Sequence, residues 1–171
     1  MDKIKIALAS DDVGFELKEL LKQYLLEEKN AEVVFDPIQT YEDGAGSQAD
    51  TTTAVCEGIQ RDEFRLAIFI CGTGIGFCHM ANRFWGVRAA NVSDEYSAER
   101  ARKSADAQVL CLGSRVVTFE VAKRIVDAWY DEPFNWSRTS SVRNKATFQA
   151  IEDRQLVKPG HVAWSMGYSP S

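Results

Sequence analysis

The sequence predicts an α/β fold. The expected architecture is Rossmann-like and three-layered (α/β/α), with a five-stranded parallel sheet and an extra C-terminal helix and tail. Short apolar runs alternate strictly with longer segments whose apolar residues recur every three to four positions, as in amphipathic helices. The apolar runs are unbroken, which is typical of parallel strands covered on both faces. The chain has 171 residues, 45% of them hydrophobic, which suits one domain of ordinary size.

The ends of the elements follow from local signals. Pro37 stops the second strand, and residues 39–49 are a loop by composition. Asp50 is predicted to cap the second helix, and Ser93 or Asp94 the helix after strand four, because their side-chain oxygens accept the first free amides of a helix. The predicted elements in chain order are strand 3–10, helix 14–28, strand 31–37, helix 50–63, strand 65–71, helix 75–84, strand 86–92, helix 93–105, strand 107–114, helix 118–132 and helix 141–154.

Residues 1–133 are predicted to form the Rossmann-like domain, and residues 134–171 a C-terminal helix and tail that is not a separate domain. The tail beyond residue 156 has no periodicity, but Trp136, Trp164 and Tyr168 give this region large apolar area at low side-chain entropy. We therefore expect it to dock on a partner subunit.

Composition excludes several classes of protein. A net charge of −5 and the absence of a basic run argue against nucleic-acid and lipid partners. No apolar stretch approaches the roughly 20 residues that a membrane span requires, and the N-terminal apolar run reads as a strand and not as a signal peptide. The four cysteines form no CxxC pair and have no zinc spacing. The expectation is a cytoplasmic protein with reduced thiols.

Candidate site residues follow three of the predicted strands: SDD at 10–12, CGTGIG at 71–76 and GSR at 113–115. In doubly wound sheets, ligands bind at the carboxyl ends of the strands, so these stretches should converge. A glycine-rich turn between a strand and a helix start points several main-chain amides at one place, where an anion can bind. Tight packing of strand against helix also favours glycine, and that alternative stays open.

Cys71 stands at the mouth of the glycine loop. Main-chain amides at a helix start favour the thiolate form of a nearby cysteine, which can then act as a base or a nucleophile. The alternative is a small buried hydrophobe, the expected state of Cys56, Cys78 and Cys111. The Thr73 hydroxyl could stabilise charge in the same loop.

The other two stretches carry charged side chains. Asp11 and Asp12 could orient sugar hydroxyls or bind a metal, although capping of the first helix is an alternative for at least one of them. Arg115 could clamp a phosphate with two parallel hydrogen bonds, or form a surface salt bridge.

Over residues 3–131 the chain resembles the ribose-5-phosphate isomerase B and galactose-6-phosphate isomerase family. The likeness is carried by ALASDDVGFELKELLKQYL, by CGTGIG followed by the AN pair, by YSAE and by LGSRV, in that order. The resemblance implies interconversion of a phosphorylated aldose and its ketose through a cis-enediolate, without a metal or an organic cofactor. It also implies a homodimer or homotetramer in which a partner subunit completes each site.

The resemblance also implies roles for individual residues. Cys71 is the base and Thr73 assists at the oxygens, while Asp11 contacts sugar hydroxyls and Arg115 binds phosphate. The resemblance further assigns Gly72, Gly74, Ile75 and Gly76 to the anion hole and Asn82 to substrate binding, with Arg138 and Arg143 as possible phosphate ligands. Asp12 and Ser93, which stand where the family has other residues, are further candidates for substrate binding.

Three positions depart from the family pattern. Asp12 replaces the histidine of SDH, and SQA at 47–49 replaces a DYP tyrosine. Ser93 stands where the family has the histidine that opens the sugar ring. The two histidines of the chain, His79 and His161, lie at neither place.

Two hypotheses follow from these departures. A tetrose 4-phosphate has no free hydroxyl on C4 and cannot close a five-membered ring, so its isomerase needs no ring-opening histidine. The substrate would then be a short, open-chain sugar phosphate, although pentose and hexose phosphates stay open. Alternatively, the chain is a non-catalytic partner subunit of a hetero-oligomeric complex similar to galactose-6-phosphate isomerase.

Overall fold

The computed structural model describes residues 3–37 and 48–159. It confirms the predicted fold: five parallel strands form one sheet between two layers of helices, followed by a C-terminal helix. The elements are β1 (Ile4–Ser10), α1 (Phe15–Glu28), β2 (Ala31–Phe35), α2 (Gln48–Gln60), β3 (Leu66–Cys71), α3 (Ile75–Ala81), β4 (Ala89–Asn91), α4 (Glu95–Ala105), β5 (Val109–Gly113), α5 (Phe119–Tyr130) and α6 (Thr139–Gln155).

The strand order is β2-β1-β3-β5-β4, and every neighbouring pair is parallel. The chain builds outward from β1 to β2 on one side and from β1 to β3 on the other, so the order reverses between β1 and β3. A crevice forms at such a reversal, outside the carboxyl ends of the strands. The register places Ser10 beside Ile70 and Cys71 beside Gly113, so three strands end at one level.

Each face of the sheet has its own apolar core. On one face, three leucines of α1 are buried with apolar residues of α4 and α5: Leu17, Leu21 and Leu25. On the other face, α2 and α3 cover the sheet, and Phe69 of β3 stacks on Phe77 of α3 with ring centroids 4.7 Å apart. The unbroken apolar strands are thus buried from both sides, as their sequence predicts.

Several boundaries differ from the sequence predictions. Helix α2 begins at Gln48, so Asp50 lies in the first turn instead of capping the helix, and the predicted loop 39–49 is two residues too long. Asp94 caps α4, since its carboxylate accepts the N–H of Ser97 at 2.7 Å. Residues 38–47 and 160–171, with His161, Trp164 and Tyr168, lie outside the described residues.

Helix α6 packs on its own chain, against α4. A buried ion pair joins Arg88 Nε to Glu152 Oε1 at 3.0 Å, and the indole N–H of Trp85 donates to Asp153 at 3.0 Å. Within 3–37 and 48–159, none of the helices has the length and hydropathy needed to cross a membrane.

Candidate active site

Three loops meet at the carboxyl ends of β1, β3 and β5. The N–H of Asp11 donates to the Ile70 carbonyl at 3.2 Å, and that of Ser114 to the Cys71 carbonyl at 2.8 Å. The Ser114 hydroxyl donates to the Val13 carbonyl at 3.0 Å. The structure therefore brings together the three stretches at which the sequence predicted a site.

Two glycines allow this close approach. Gly74, the N-cap of α3, has a φ of +78°, a left-handed conformation that side chains disfavour. A Cβ at Gly74 would lie 2.6 Å from Asn91 Oδ1, and one at Gly14 would lie 2.2 Å from the Ile70 carbonyl oxygen. At Gly74, therefore, the glycine is required by close packing of the loop, which was the alternative to anion binding.

Cys71 is the last residue of β3, and 5% of its surface is exposed. Its side chain is part of the apolar core under α2 and α3. Its sulfur accepts the N–H of Gly74 at 3.1 Å, which places it at the floor of the glycine loop. The side chain therefore lies between the core and the loop, with an amide donor on its loop side.

The amides of the glycine loop are partly used within the chain. The N–H of Gly74 is directed at the Cys71 sulfur, and the N–H of Ile75 reaches Thr73 Oγ1 at 3.3 Å. An anion hole built from both of these amides, as the resemblance implies, would require them to leave those partners. Gly72 and Gly76 are half-buried in the same loop, and Thr73 is exposed.

Asp11 is 8% exposed and is held at both carboxylate oxygens. Oδ1 accepts the N–H of Gly14 at 2.8 Å, which fixes the turn before α1, and Oδ2 accepts the amide of Gln48 at 2.8 Å. Gln48 was not among the site residues predicted from the sequence. The one sequence feature that pointed to Gln48 was the replacement of the family's DYP tyrosine by SQA at 47–49. Asp12 is exposed and contributes its main-chain carbonyl to the same turn.

A second residue missed by sequence reasoning is Asn91. It ends β4, and its Oδ1 lies against Gly74. The rule that sites gather at the carboxyl ends of strands could have found it. Ser93 is exposed two residues further on, between β4 and α4.

Arg115 and Asn82 lie in different surroundings. The exposed Arg115 side chain runs along Gly72: its Cδ would lie 3.7 Å from a Cβ at that glycine, and its N–H donates to the Gly72 carbonyl at 3.1 Å. Asn82 instead ends α3, and its side-chain amide pairs with both the N–H (3.0 Å) and the carbonyl (2.9 Å) of Ala89. Both ends of that amide thus join α3 to β4.

Arg138 and Arg143 are exposed and are not brought to this crevice. Arg138 precedes α6, and the nearby Trp136 lines a cavity with Ile4 and Leu66, the first residues of β1 and β3. The two arginines thus start α6 at the amino ends of the strands, opposite Cys71. Among the described residues, no group of three His, Cys, Asp or Glu side chains could hold a metal ion.

The family model described as Ribose/Galactose Isomerase matches residues 6–146. The chain belongs to this family. Ribose-5-P isomerase B of Listeria innocua is 37% identical over 138 residues, which are 81% of this chain and 91% of the relative. D-erythrulose-4-phosphate isomerase of Pectobacterium atrosepticum is 40% identical over 134 residues, 77% of this chain and 85% of the relative.

A solved structure gives the same result for the fold. Ribose-5-phosphate isomerase B of Clostridium thermocellum superposes with a TM-score of 0.79 at 32% identity, covering 88% of this chain and 99% of that one. The chain is therefore an enzyme, a sugar-phosphate isomerase of the Ribose/Galactose Isomerase family. Its substrate and the identity of its base are separate questions.

Proposed function

We propose that this isomerase interconverts an aldose phosphate and its ketose through a cis-enediolate, with the Cys71 thiolate as the base. The observation that carries the proposal is the 3.1 Å contact between the Gly74 N–H and the Cys71 sulfur, at the floor of the crevice. The Gly74 amide donates a hydrogen bond to the sulfur, which directs the Cys71 side chain toward the loop. The low exposure of Cys71 limits the access of water to the base.

The reaction requires one proton to move between neighbouring carbons. The thiolate removes the proton alpha to the carbonyl, and the bonding electrons pass to the carbonyl oxygen to form the enediolate. The resulting thiol then returns the proton to the former carbonyl carbon, while the hydroxyl proton on the alpha carbon's oxygen passes to the former carbonyl oxygen, which completes the ketose. In this proposal, the Thr73 hydroxyl and the amides of Gly72 and Gly76 stabilise the charged oxygens, and Asp11 accepts hydrogen bonds from sugar hydroxyls.

Arg115 is proposed to hold the phosphate. The Arg115 side chain lies beside Gly72, next to the loop that carries the base, and it is exposed to solvent, where a ligand can bind it. A guanidinium can form two parallel hydrogen bonds to phosphate oxygens, which fixes the orientation of the sugar as well as its position.

The proposed substrate is a tetrose 4-phosphate in its open-chain form. Residues 10–14, 71–76, 91–94 and 113–117, which form the described ends of β1, β3, β4 and β5, contain no histidine that could open a sugar ring. The 40% identical relative named D-erythrulose-4-phosphate isomerase supports the same substrate. The relative named ribose-5-P isomerase B makes ribose 5-phosphate the competing candidate.

The experiment is an isomerase assay of the purified protein on tetrose, pentose and hexose phosphates. We expect the highest kcat/KM with D-erythrulose 4-phosphate or its aldose. Cys71→Ala should lower kcat by about two to four orders of magnitude, the usual contribution of a general base, whereas Cys78→Ala should retain activity. A clear preference for ribose 5-phosphate would overturn the substrate proposal, and an active Cys71→Ala variant would overturn the base.

The proposal includes a cytoplasmic homodimer or homotetramer in which Arg138 and Arg143 of one copy serve the crevice of another. Their exposure, at the opposite end of the sheet from their own Cys71, supports this arrangement. Mixing inactive Cys71→Ala with inactive Arg138→Ala/Arg143→Ala subunits should restore part of the activity. Failure of subunits that have been shown to exchange would contradict a shared site.

A further inference from the structure

A second thiol lies behind the glycine loop, on α3. The sulfur of Cys78 is half-buried, and its side chain packs against the apolar core that contains Cys56, Cys71 and Cys111. All four cysteines of the chain therefore lie on the same side of the sheet. The proposed reaction uses only one of them.

The surroundings of the Cys78 sulfur favour its thiolate. A hydrogen bond from the Cys111 side chain, followed by those from the Asn91 N–H and the Asn82 amide, lowers the pKa of Cys78 to about 7, although burial opposes this shift. The Asn82 nitrogen lies 3.5 Å from the sulfur. When protonated, the Cys78 thiol can donate to the Ala89 carbonyl, also at 3.5 Å.

Cys111 has the opposite character. Complete burial, together with the neighbouring Cys78, raises the pKa of its thiol well above the ordinary value. It therefore stays protonated and can donate to the Cys78 sulfur. The pair thus contains one thiol suited to attack an oxidant and one in contact with it that can react next.

We propose that Cys78 and Cys111 form an oxidation-sensitive pair, in which hydrogen peroxide oxidises Cys78 and Cys111 then closes a disulfide. No part of the isomerase reaction uses either sulfur. The Cys78 side chain is half-buried, and a cavity of about 320 Å³ is lined in part by Asn82 and Ala89, whose polar atoms lie 3.5 Å from its sulfur, so this cavity adjoins the thiol.

The chemistry balances in two steps. The Cys78 thiolate attacks one peroxide oxygen, the O–O bond breaks, and hydroxide leaves, which gives a sulfenic acid on Cys78. The Cys111 thiol then attacks the Cys78 sulfur and breaks its S–O bond, and the Cys111 proton passes to the departing hydroxyl, which leaves as water. The hydroxide of the first step takes up the proton that Cys78 lost and becomes the second water. In total, the two thiols lose two electrons and two protons, and one peroxide takes up both and becomes two waters.

The pair lies directly below the glycine loop. The Cys78 N–H donates to the Gly74 carbonyl at 3.2 Å, and a Cβ at Gly74 would lie 3.2 Å from the Cys111 carbonyl carbon. A disulfide would join the first turn of α3 to β5 at this point and shift the loop that faces the Cys71 sulfur. We therefore expect oxidation to lower isomerase activity. This effect rests on the proposed function, whereas formation of the disulfide does not.

The first test measures the disulfide alone. In a Cys71→Ser background, a small excess of hydrogen peroxide should remove the mass of two hydrogen atoms, and fragmentation of the digested protein should place the bond between Cys78 and Cys111. Adding Cys78→Ser or Cys111→Ser should abolish that mass loss, whereas Cys56→Ser, the matched control, should not. An unchanged mass, or a disulfide formed with Cys56, would overturn the proposal.

The second test measures activity with Cys71 intact. Peroxide should inactivate the wild type in proportion to the disulfide formed, dithiothreitol should restore it, and Cys78→Ser should resist inactivation at least fivefold longer. If Cys78→Ser lost activity as fast as the wild type, oxidation at another residue would cause the inactivation. The proposed link between the disulfide and the glycine loop would then be wrong. A wild type without isomerase activity would refute the proposed function, while the mass measurement would still decide the disulfide.

Discussion

Cys71 and Cys78 are seven residues apart and belong to the same core, yet their surroundings differ. Cys71 ends a central strand and directs its sulfur at the Gly74 N–H, in the loop where three strands end. Cys78 lies on the side of α3, with Cys111, Asn91 and Asn82 around its sulfur.

The difference teaches that the stabilisation of a thiolate and access to substrate are separate properties. Of the two thiols, Cys78 has the larger set of donors, but it does not lie at the carboxyl ends of the strands, where ligands bind in such sheets. Cys71 has one amide contact and the right location. We therefore propose isomerisation for Cys71 and oxidation chemistry for Cys78, and the following predictions test that division.

The largest effect is expected for Gly74→Ala, which alters the loop that holds Cys71. The alanine would have to adopt a left-handed backbone conformation. Its Cβ would lie 2.6 Å from Asn91 Oδ1 and 3.0 Å from the Leu112 carbonyl carbon. We expect a loss of about 2–4 kcal/mol in the free energy of unfolding, measured by urea denaturation, together with loss of activity.

Gly86→Ala is the matched control for this variant. Gly86 also has a positive φ, +77°, but its Cβ would meet nothing within 4 Å. Gly86→Ala should lower the free energy of unfolding by about 1 kcal/mol, because only backbone strain is added, and it should retain activity. Equal losses at the two glycines would contradict the tight packing behind the loop.

The next effect is expected for Arg115→Met, which removes the proposed phosphate ligand. Hydrogen bonds to a charged group contribute about 1.5–3 kcal/mol, so KM for the sugar phosphate should rise roughly tenfold or more in steady-state assays. Arg154→Met, on the exposed face of α6, is the control and should leave KM unchanged. An unchanged KM in Arg115→Met would place the phosphate elsewhere.

The smallest effect is the pH dependence of Cys78 alkylation in a Cys71→Ser background. Because its pKa is lowered to about 7, its thiolate forms as pH rises through about 7, and the rate should level off above that. The groups around the sulfur, from Asn82, Asn91, Cys111 and Ala89, carry no charge that titrates near this pH.

At pH 7, the gain over a thiol with an unshifted pKa should be roughly five- to tenfold, since lower basicity offsets part of the larger thiolate fraction. Cys56 is the internal control, because burial raises its pKa to about 12. Peptide mapping after iodoacetamide treatment at several pH values measures both sites. A midpoint near pH 9 for Cys78 would show that its neighbours do not favour its thiolate.

The sequence predicted the fold because burial on both faces and helical periodicity are local patterns. It also predicted which three loops meet, because parallel strands end at a common edge. The start of α2 was wrong by two residues, since Gln48 binds Asp11 across the crevice and that contact is tertiary.

Side-chain partners on different elements were harder to predict. The resemblance assigns Asn82 to the substrate, which stays a prediction, but nothing in the sequence indicated that its amide pairs with the main chain of Ala89. Cys78 was expected to be a small buried hydrophobe, but it is half-buried and contacts Cys111, 33 positions further along the chain. Neither contact leaves a local pattern in the sequence.

The most direct measurement of the central claim is exchange of the substrate's alpha proton with deuterated water, followed by NMR, in Cys71→Ala and Cys78→Ala. The account predicts that exchange disappears in Cys71→Ala and continues in Cys78→Ala at a rate close to that of the wild type. Continued exchange in a folded Cys71→Ala variant would show that another group is the base.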